Sequence, residues 1–419
     1  MDFQKNDYVR VASYEGQPGK VKKVVLLYSG GLDTSISLKW IQDTYKAEVV
    51  TLTVDLGQPT EDISLIKKKA LKLGAKAAYV LDLKREFANG YISKAIKANG
   101  LYEGKYPLSS AISRYVTVKA GVDIARKIKA DAIAHGCTGK GNSQVRFDLA
   151  ITTLDPKLKV IAPIREWGIS RDAGYKYAKE NNIPVVINKK TLYSVDENLW
   201  GRGIASGILE DPSKEPPQDT LGWVTRPEDA PNKPEYVTLT FKNGVPTELN
   251  GKKMELYKLI MKLNSVAGKH GVGLIDHVED RIVGLKSRDY YECPGAVTIL
   301  EAHKDLEKYV CTIHENLFKE IIDSKWAQMA YFGLWFDPLM DALNAFVDVV
   351  NEKVTGIVRL KLYKGVVIVV GRESKYALYD MKLNTYFTGQ TFNRQASTGF
   401  IELFGLESKM ANLLRKSNR

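Results

Sequence analysis

The sequence predicts an α/β protein: a doubly wound parallel sheet first, then an α+β region, then a C-terminal helical arm. Three observations carry that reading. Short apolar runs of strand length alternate with helical periods through the first half of the chain, the pattern of a parallel sheet covered on both faces. A proline-rich stretch, residues 211–234 with six of the chain's fifteen prolines, then interrupts the alternation. Beyond it, hairpin signals take over.

Residues 22–28 (KKVVLLY) read as a buried strand, Gly30-Gly31 as a turn and 34–43 as a helix. Strand 48–54, helix 61–73 and strand 77–81 follow. Helical periods cover 83–99 and 109–129. Strand 132–135, helix 144–153, strand 160–162 and helix 171–181 complete the series. Sheets of this type bind ligands at the carboxyl ends of their strands. Past the prolines, Asn243-Gly244 within 238–249 is a two-residue hairpin signal. Residues 254–267 and 301–328 read as helices, and 355–363 with 366–371 as a second hairpin. Residues 400–419 read as a basic amphipathic helix, an arm expected to pack on a partner subunit. The division expected is a polar extension 1–20, a first domain 21–188, a second domain 189–395 and the arm 396–419.

Composition excludes several classes. With 419 residues, 44% hydrophobic and 26% charged, the chain is long enough for about two or three domains and can bury a sizeable core. Its longest strongly apolar stretch, 366–370, is far shorter than the roughly 18 residues a membrane span needs. Residues 1–20 lack the apolar core of a secretory signal, so neither a membrane protein nor an exported one is expected. Cys137, Cys293 and Cys311 have no paired spacing, which points to a reducing, cytoplasmic setting and away from disulfides or zinc. The five histidines lack metal-ligand spacing, so no resident metal site is expected. A net charge of +12 suits nucleic acid as a partner, and equally a polyanionic small molecule such as ATP.

The most informative stretch is Tyr28-Ser29-Gly30-Gly31-Leu32-Asp33-Thr34-Ser35, between the first strand and the first helix. Small Ser and Gly residues let backbone N–H groups approach phosphate oxygens, and the helix N-terminus adds partial positive charge. Asp33 would repel a bare phosphate, so its presence points to Mg²⁺ between the two. A second loop, His135-Gly136-Cys137-Thr138-Gly139-Lys140-Gly141-Asn142-Ser143, follows another strand and faces the same sheet edge. Its glycines open the backbone, Lys140 and Arg146 bring positive charge, and Arg suits bidentate carboxylate recognition. A Walker A reading of Gly139-Lys140 fails, because residue 134 is Ala and Gly141 stands where Ser or Thr is required.

The first loop resembles the pyrophosphate loop of the PP-loop ATP pyrophosphatase superfamily. Together with Val54-Asp55-Leu56-Gly57-Gln58, Tyr106-Pro107-Leu108, Tyr193–Trp200 (YSVDENLW), residues 268–273 (GKHGVG), Lys286-Ser287-Arg288 and Gly371-Arg372-Glu373-Ser374, the two loops resemble the argininosuccinate synthases in order along nearly the whole chain. The resemblance implies a PP-loop nucleotide-binding domain followed by a synthetase domain. It implies attack of the citrulline ureido oxygen on the α-phosphorus of Mg-ATP, then displacement of AMP by the aspartate amine. Leu27 to Ser35, Val54 and Gly136 would contact ATP, with Ser29, Asp33 and Lys140 closest to the chemistry. Thr138, Asn142 and Ser143 would contact aspartate. Tyr106, Ala111, Asn142, Arg146, Ser194, Gly203, Glu279 and Tyr291 would contact citrulline. A homotetramer acting without nucleic acid or membrane is also implied.

The chain departs from the family's usual pattern outside the ATP loop. Ser143 replaces an Asp, Ala111 and Gly203 each replace a hydroxyl residue, and Phe332 replaces a Thr. Losing one charged hydrogen bond costs about 1.5–3 kcal/mol. A homologous adenylating ligase with a changed amine or acceptor therefore stands as the alternative, and a tRNA-modifying PP-loop enzyme as a remote one.

Overall fold

Strands β1 (Lys23–Leu27), β2 (Glu48–Asp55), β3 (Ala77–Asp82), β4 (Ala132–Ala134) and β5 (Lys159–Ile161) form an all-parallel sheet in the order β3-β2-β1-β4-β5. The computed structural model describes residues 9–58, 63–184, 193–386 and 392–418. Two compact units make up the chain, Met1–Tyr376 and Ala377–Arg419.

The apolar run of β1 is continuous because both faces of the sheet are covered. Val24, Leu26 and Tyr28 share a core with Leu38, Ile41 and Tyr45 of helix Leu32–Tyr45. Val25 and Leu27 share another with Ile112, Val116 and Val118 of helix Ser109–Ile128. Each such side chain contributes about 1.5–3 kcal/mol when fully buried. The chain leaves β1 toward β2 on one side and returns to β4 on the other, so the loops after β1 and β4 diverge and open a crevice.

Downstream, the sheets are antiparallel. Strands β6 (Ser194–Asn198), β7 (Gly201–Ala205), β8 (Glu235–Lys242), β9 (Val245–Leu249), β10 (Lys252–Lys253), β11 (Leu274–Asp280), β12 (Lys286–Glu292), β13 (Gly356–Tyr363) and β14 (Val366–Glu373) divide between two sheets. One has the order β11-β12-β7-β6 and the other β10-β9-β8-β13-β14. Asn243 and Gly244, with φ of 49° and 77°, form the left-handed two-residue turn that the sequence predicts between β8 and β9. Lys364 and Gly365 do the same between β13 and β14, with φ of 47° and 85°.

Several expectations need correction. Residues 301–328 are not one helix but parts of two, Pro294–Val310 and Ile313–Tyr331. Cys311 and Thr312 are extended between them, and Thr312 forms a reciprocal capping box with Glu315. That T-x-x-E signal was present in the sequence. Residues 400–419 likewise belong to two helices, Ala396–Phe404 and Leu406–Ser417, which break at Gly405. Residues 83–99 run helical, with a π turn at Ala88–Ile92 between Lys84–Phe87 and Ser93–Lys97. The sequence reading missed the β6–β7 and β11–β12 hairpins and helix Pro338–Asn351. The expected start of helix 61–73, the junction at 188–189 and the first eight residues of the polar extension lie outside the described residues. No helix among the described residues is long and apolar enough to cross a membrane.

Candidate active site

The loop after β1 turns at Gly30, whose φ of 78° lies in the left-handed region that favours glycine. Helix Leu32–Tyr45 then begins at Gly31, and no side chain caps it. Its first-turn N–H groups are therefore available to an anion. The hydroxyls stiffen the loop from within. Ser29 Oγ lies 3.2 Å from Thr34 Oγ1, Ser35 Oγ donates to the Gly30 carbonyl at 3.3 Å, and the Tyr28 hydroxyl lies 3.1 Å from Ser35 Oγ. Ser29, Gly31 and Asp33 are exposed at the mouth, whereas Thr34 and Ser35 are buried. Leu27 and Tyr28 are buried in the sheet, and Val54 lies near the carboxyl end of the neighbouring β2.

The loop after β4 rests directly on this helix start. A Cβ at Gly136 would come within 3.0 Å of Thr34 Cγ2 and 3.3 Å of its backbone nitrogen. His135 anchors the loop from below. Its Nδ1 accepts the Cys137 N–H at 3.3 Å and its Nε2 faces Asp148 at 2.8 Å, which selects the Nε2–H tautomer. Thr138 and Lys140 are exposed along the loop, which ends at Gly141, where helix Asn142–Leu154 starts without a side-chain cap.

Gly141 is also part of the wall of a small cavity of about 170 Å³. That is well below the roughly 300–1,000 Å³ of pockets for larger organic ligands, so it suits a small polar molecule. Tyr106, Asn142, Ser143, Arg146, Ser194, Gly203, Glu279 and Tyr291 all line it. Two features of Arg146 stand out. Its Nε donates to the Tyr331 carbonyl at 2.7 Å, while its buried Nη2 has no partner among the described residues. A fixed guanidinium with one open donor can receive a carboxylate. Across the cavity, the Tyr291 hydroxyl donates to Glu279 at 3.0 Å. Burial, aided by the nearby charge of Asp289, pushes the Glu279 carboxyl up to about 7. An incoming ammonium would favour its ionised form.

The aromatic wall is built by packing. Tyr106 stacks on Tyr291 with ring centroids 4.2 Å apart, and its hydroxyl accepts the Ser110 and Ala111 N–H groups at 2.8 and 3.3 Å. Gly203 sits opposite Tyr291 across the β7–β12 pair, and a Cβ there would come 3.2 Å from the Tyr291 ring. Asn142 donates to the Tyr331 hydroxyl at 2.7 Å and accepts the Ile282 N–H at 2.9 Å. Ser143 Oγ accepts from Arg114 at 3.3 Å, and Arg114 also pairs with Asp196.

Two residues expected to contact the amino acids stand outside the cavity wall: Thr138, exposed on the loop, and Ala111. Ala111 is fully buried behind Tyr106, and Ser110 reaches the cavity in its place. Asp196, Arg281, Asp289 and Tyr331 also line the cavity without having been singled out, and Arg114 supports it from behind Ser143. Asp196 lay within the recognised YSVDENLW stretch. Tyr331 immediately precedes the Phe332 departure, whereas Arg281 and Asp289 carry no local signal, because strand pairing brings them in from a distant part of the sequence.

Residues 23–184 match the arginosuccinate synthase N-terminal HUP domain, and residues 193–411 match the arginosuccinate synthase C-terminal domain. The chain is 54% identical over 389 residues to the argininosuccinate synthase of Pyrococcus furiosus, covering 93% of this chain and 94% of that one. To that of Bacillus thuringiensis strain Al Hakam it is 52% identical, covering 93% and 96%. With two domain matches and full-length relatives at this identity, the chain belongs to the argininosuccinate synthase family.

Proposed function

We propose that the chain is an ATP-dependent carbon–nitrogen ligase that condenses citrulline with aspartate to argininosuccinate, releasing AMP and pyrophosphate in arginine biosynthesis. One observation supports this best. The loop 135–141 runs from the phosphate-binding helix start, which Gly136 touches, to the polar cavity, which Gly141 helps to line.

In the first step, the ureido oxygen forms a bond to the α-phosphorus of ATP while the bridging bond to the β-phosphate breaks. The uncapped N–H groups after Gly31, with Ser29 and Thr34, receive the departing pyrophosphate. Asp33 at the loop mouth fits as a carboxylate ligand for nucleotide-bound Mg²⁺, an ion held by one or two carboxylates plus phosphate oxygens. When bound, Mg²⁺ neutralises charge on the phosphates. Lys140 offsets charge near the α-phosphate. Arg146 takes the citrulline carboxylate on its open Nη2, Glu279 takes the ammonium, and Gly203 with the Tyr106–Tyr291 stack, which Ala111 backs, shapes the wall.

In the second step, the aspartate amine bonds to the activated carbon and AMP leaves. Thr138, Asn142 and Ser143 orient aspartate, with Ser143 held in place by the Arg114 guanidinium, which also pairs with Asp196. Catalysis rests on proximity and charge stabilisation rather than on a nucleophilic side chain. The domain division 21–188 and 189–395 with an arm from 396 accompanies this reading, as do a cytoplasmic homotetramer and a function independent of nucleic acid. Exposed Phe400, Leu403 and Phe404 are suitable tetramer contacts, and light scattering tests that assembly.

The test is incubation with Mg-ATP and citrulline and aspartate, each alone and together, followed by mass spectrometry. AMP and argininosuccinate formed only with both amino acids would support the reading; ATP binding without product would contradict it. A second reading, a ligase with a different amine, draws on Ser143, which leaves no carboxylate at that point of the wall. It predicts AMP release with another amine in place of aspartate.

A further inference from the structure

The phosphate loop has a cationic neighbour outside its own motif. Between Tyr28 and Ser35 the ionisable side chains are Tyr28 and Asp33, so the loop itself supplies no cation for a departing polyanion. Helix Ile63–Lys72 packs against it. A Cβ at Gly30 would meet Ile66 Cγ1 at 3.1 Å, and one turn on, Lys69 Nζ donates to the Gly30 carbonyl at 2.6 Å.

Two features of Lys69 are unusual for a lysine that merely braces a loop. It is half-buried, and its only hydrogen-bond partner among the described residues is that neutral carbonyl, with no carboxylate of a described residue in reach. Burial correspondingly lowers its pKa. A desolvated ammonium on a carbonyl recovers less than one that meets an anion. The carbonyl does not depend on it either, because Ser35 Oγ donates to the same oxygen at 3.3 Å. Lys69 can therefore leave without orphaning the Gly30 carbonyl.

We propose that Lys69 is a phosphate-binding residue of this site: its ammonium transfers from the Gly30 carbonyl to oxygens of the β- and γ-phosphates of ATP, and stays with pyrophosphate after the α–β bond breaks. This rests on the nucleotide reading of the loop. No bond of Lys69 itself is made or broken. It supplies charge where charge accumulates on the leaving group.

Calorimetry with inorganic pyrophosphate and, separately, AMP on the full-length wild type, Lys69→Met and Lys69→Arg tests the proposal. Loss of a charged hydrogen bond of this kind lowers affinity by about 10- to 100-fold. The expected result is a fall of that size in pyrophosphate affinity for Lys69→Met, with AMP affinity within about twofold of wild type and partial recovery in Lys69→Arg. Unchanged pyrophosphate binding in a folded Lys69→Met protein overturns the proposal. Equal losses for pyrophosphate and AMP also overturn it, because they would mark Lys69 as a brace only. A wild type that binds neither ligand contradicts the nucleotide reading itself, a different failure from a wild type that binds both and a variant that matches it.

Discussion

The phosphate loop and the amino-acid cavity solve different recognition problems with different materials. The loop is one contiguous stretch, residues 28–35, which offers backbone N–H groups and small hydroxyls at an exposed mouth. The cavity draws on helices Ser109–Ile128 and Asn142–Leu154 and on strands β6, β7, β11 and β12, and its wall is made of side chains, several of them buried and holding one another by hydrogen bonds. A backbone cradle needs only a turn and a helix start, so it tolerates little change in eight residues. A side-chain cavity distributes its geometry, so a single hydroxyl can disappear while its neighbours keep their places.

That contrast can be broken experimentally, starting with its largest effect. Asp33→Asn should lower kcat about 100-fold or more by weakening the charge neutralisation on which the first step depends. Its melting temperature should stay near wild type, since Asp33 is exposed. Arg146→Met should instead raise the KM for citrulline about 10- to 100-fold and leave the KM for ATP within about threefold. If both KM values rose together, the two regions would not be separable as described.

The third prediction concerns pH. Glu279 in the folded protein is protonated up to about 7, above its ordinary value. Its contribution to stability is therefore fully present below that ordinary value and is lost as pH rises through about 7. Citrulline binding has the opposite sign, because the ionised form meets the ammonium: kcat/KM for citrulline should fall as pH drops through about 7. Glu279→Gln should abolish that limb of the profile and flatten the stability change over the same window. A profile that kept the limb would remove Glu279 from the site.

Smaller effects sharpen the boundary. Gly203→Ser places atoms against the Tyr291 ring and should raise the citrulline KM a few-fold, about 1 kcal/mol of strain. Thr312→Ala removes the capping box and should cost about 1 kcal/mol of stability in denaturant melts, with kinetics unchanged.

The same contrast explains what the sequence made legible. The parallel sheet could be read because each strand is a short apolar run and each helix a period, all local signals. The phosphate loop could be read because its chemistry is contiguous. Arg281, Asp289 and the cavity role of Tyr331 could not be placed, because they follow from the β7–β12 and β11–β12 pairings and from the packing of helix Ile313–Tyr331. Ala111 is the reverse case: the family resemblance placed it at the site, but the helix turns it into the core and presents Ser110. The break at Cys311-Thr312 was readable from T-x-x-E, and the apolar period running across it concealed the cap.

If the loop 135–141 joins a phosphate cradle to an amino-acid cavity, a ureido oxygen bound there meets the α-phosphorus of ATP. Citrulline labelled with ¹⁸O in its ureido group, incubated with Mg-ATP, aspartate and the full-length protein, tests it most directly. The label is expected to appear in the phosphate of AMP as argininosuccinate forms. Argininosuccinate formed with unlabelled AMP, or no AMP at all, would contradict it.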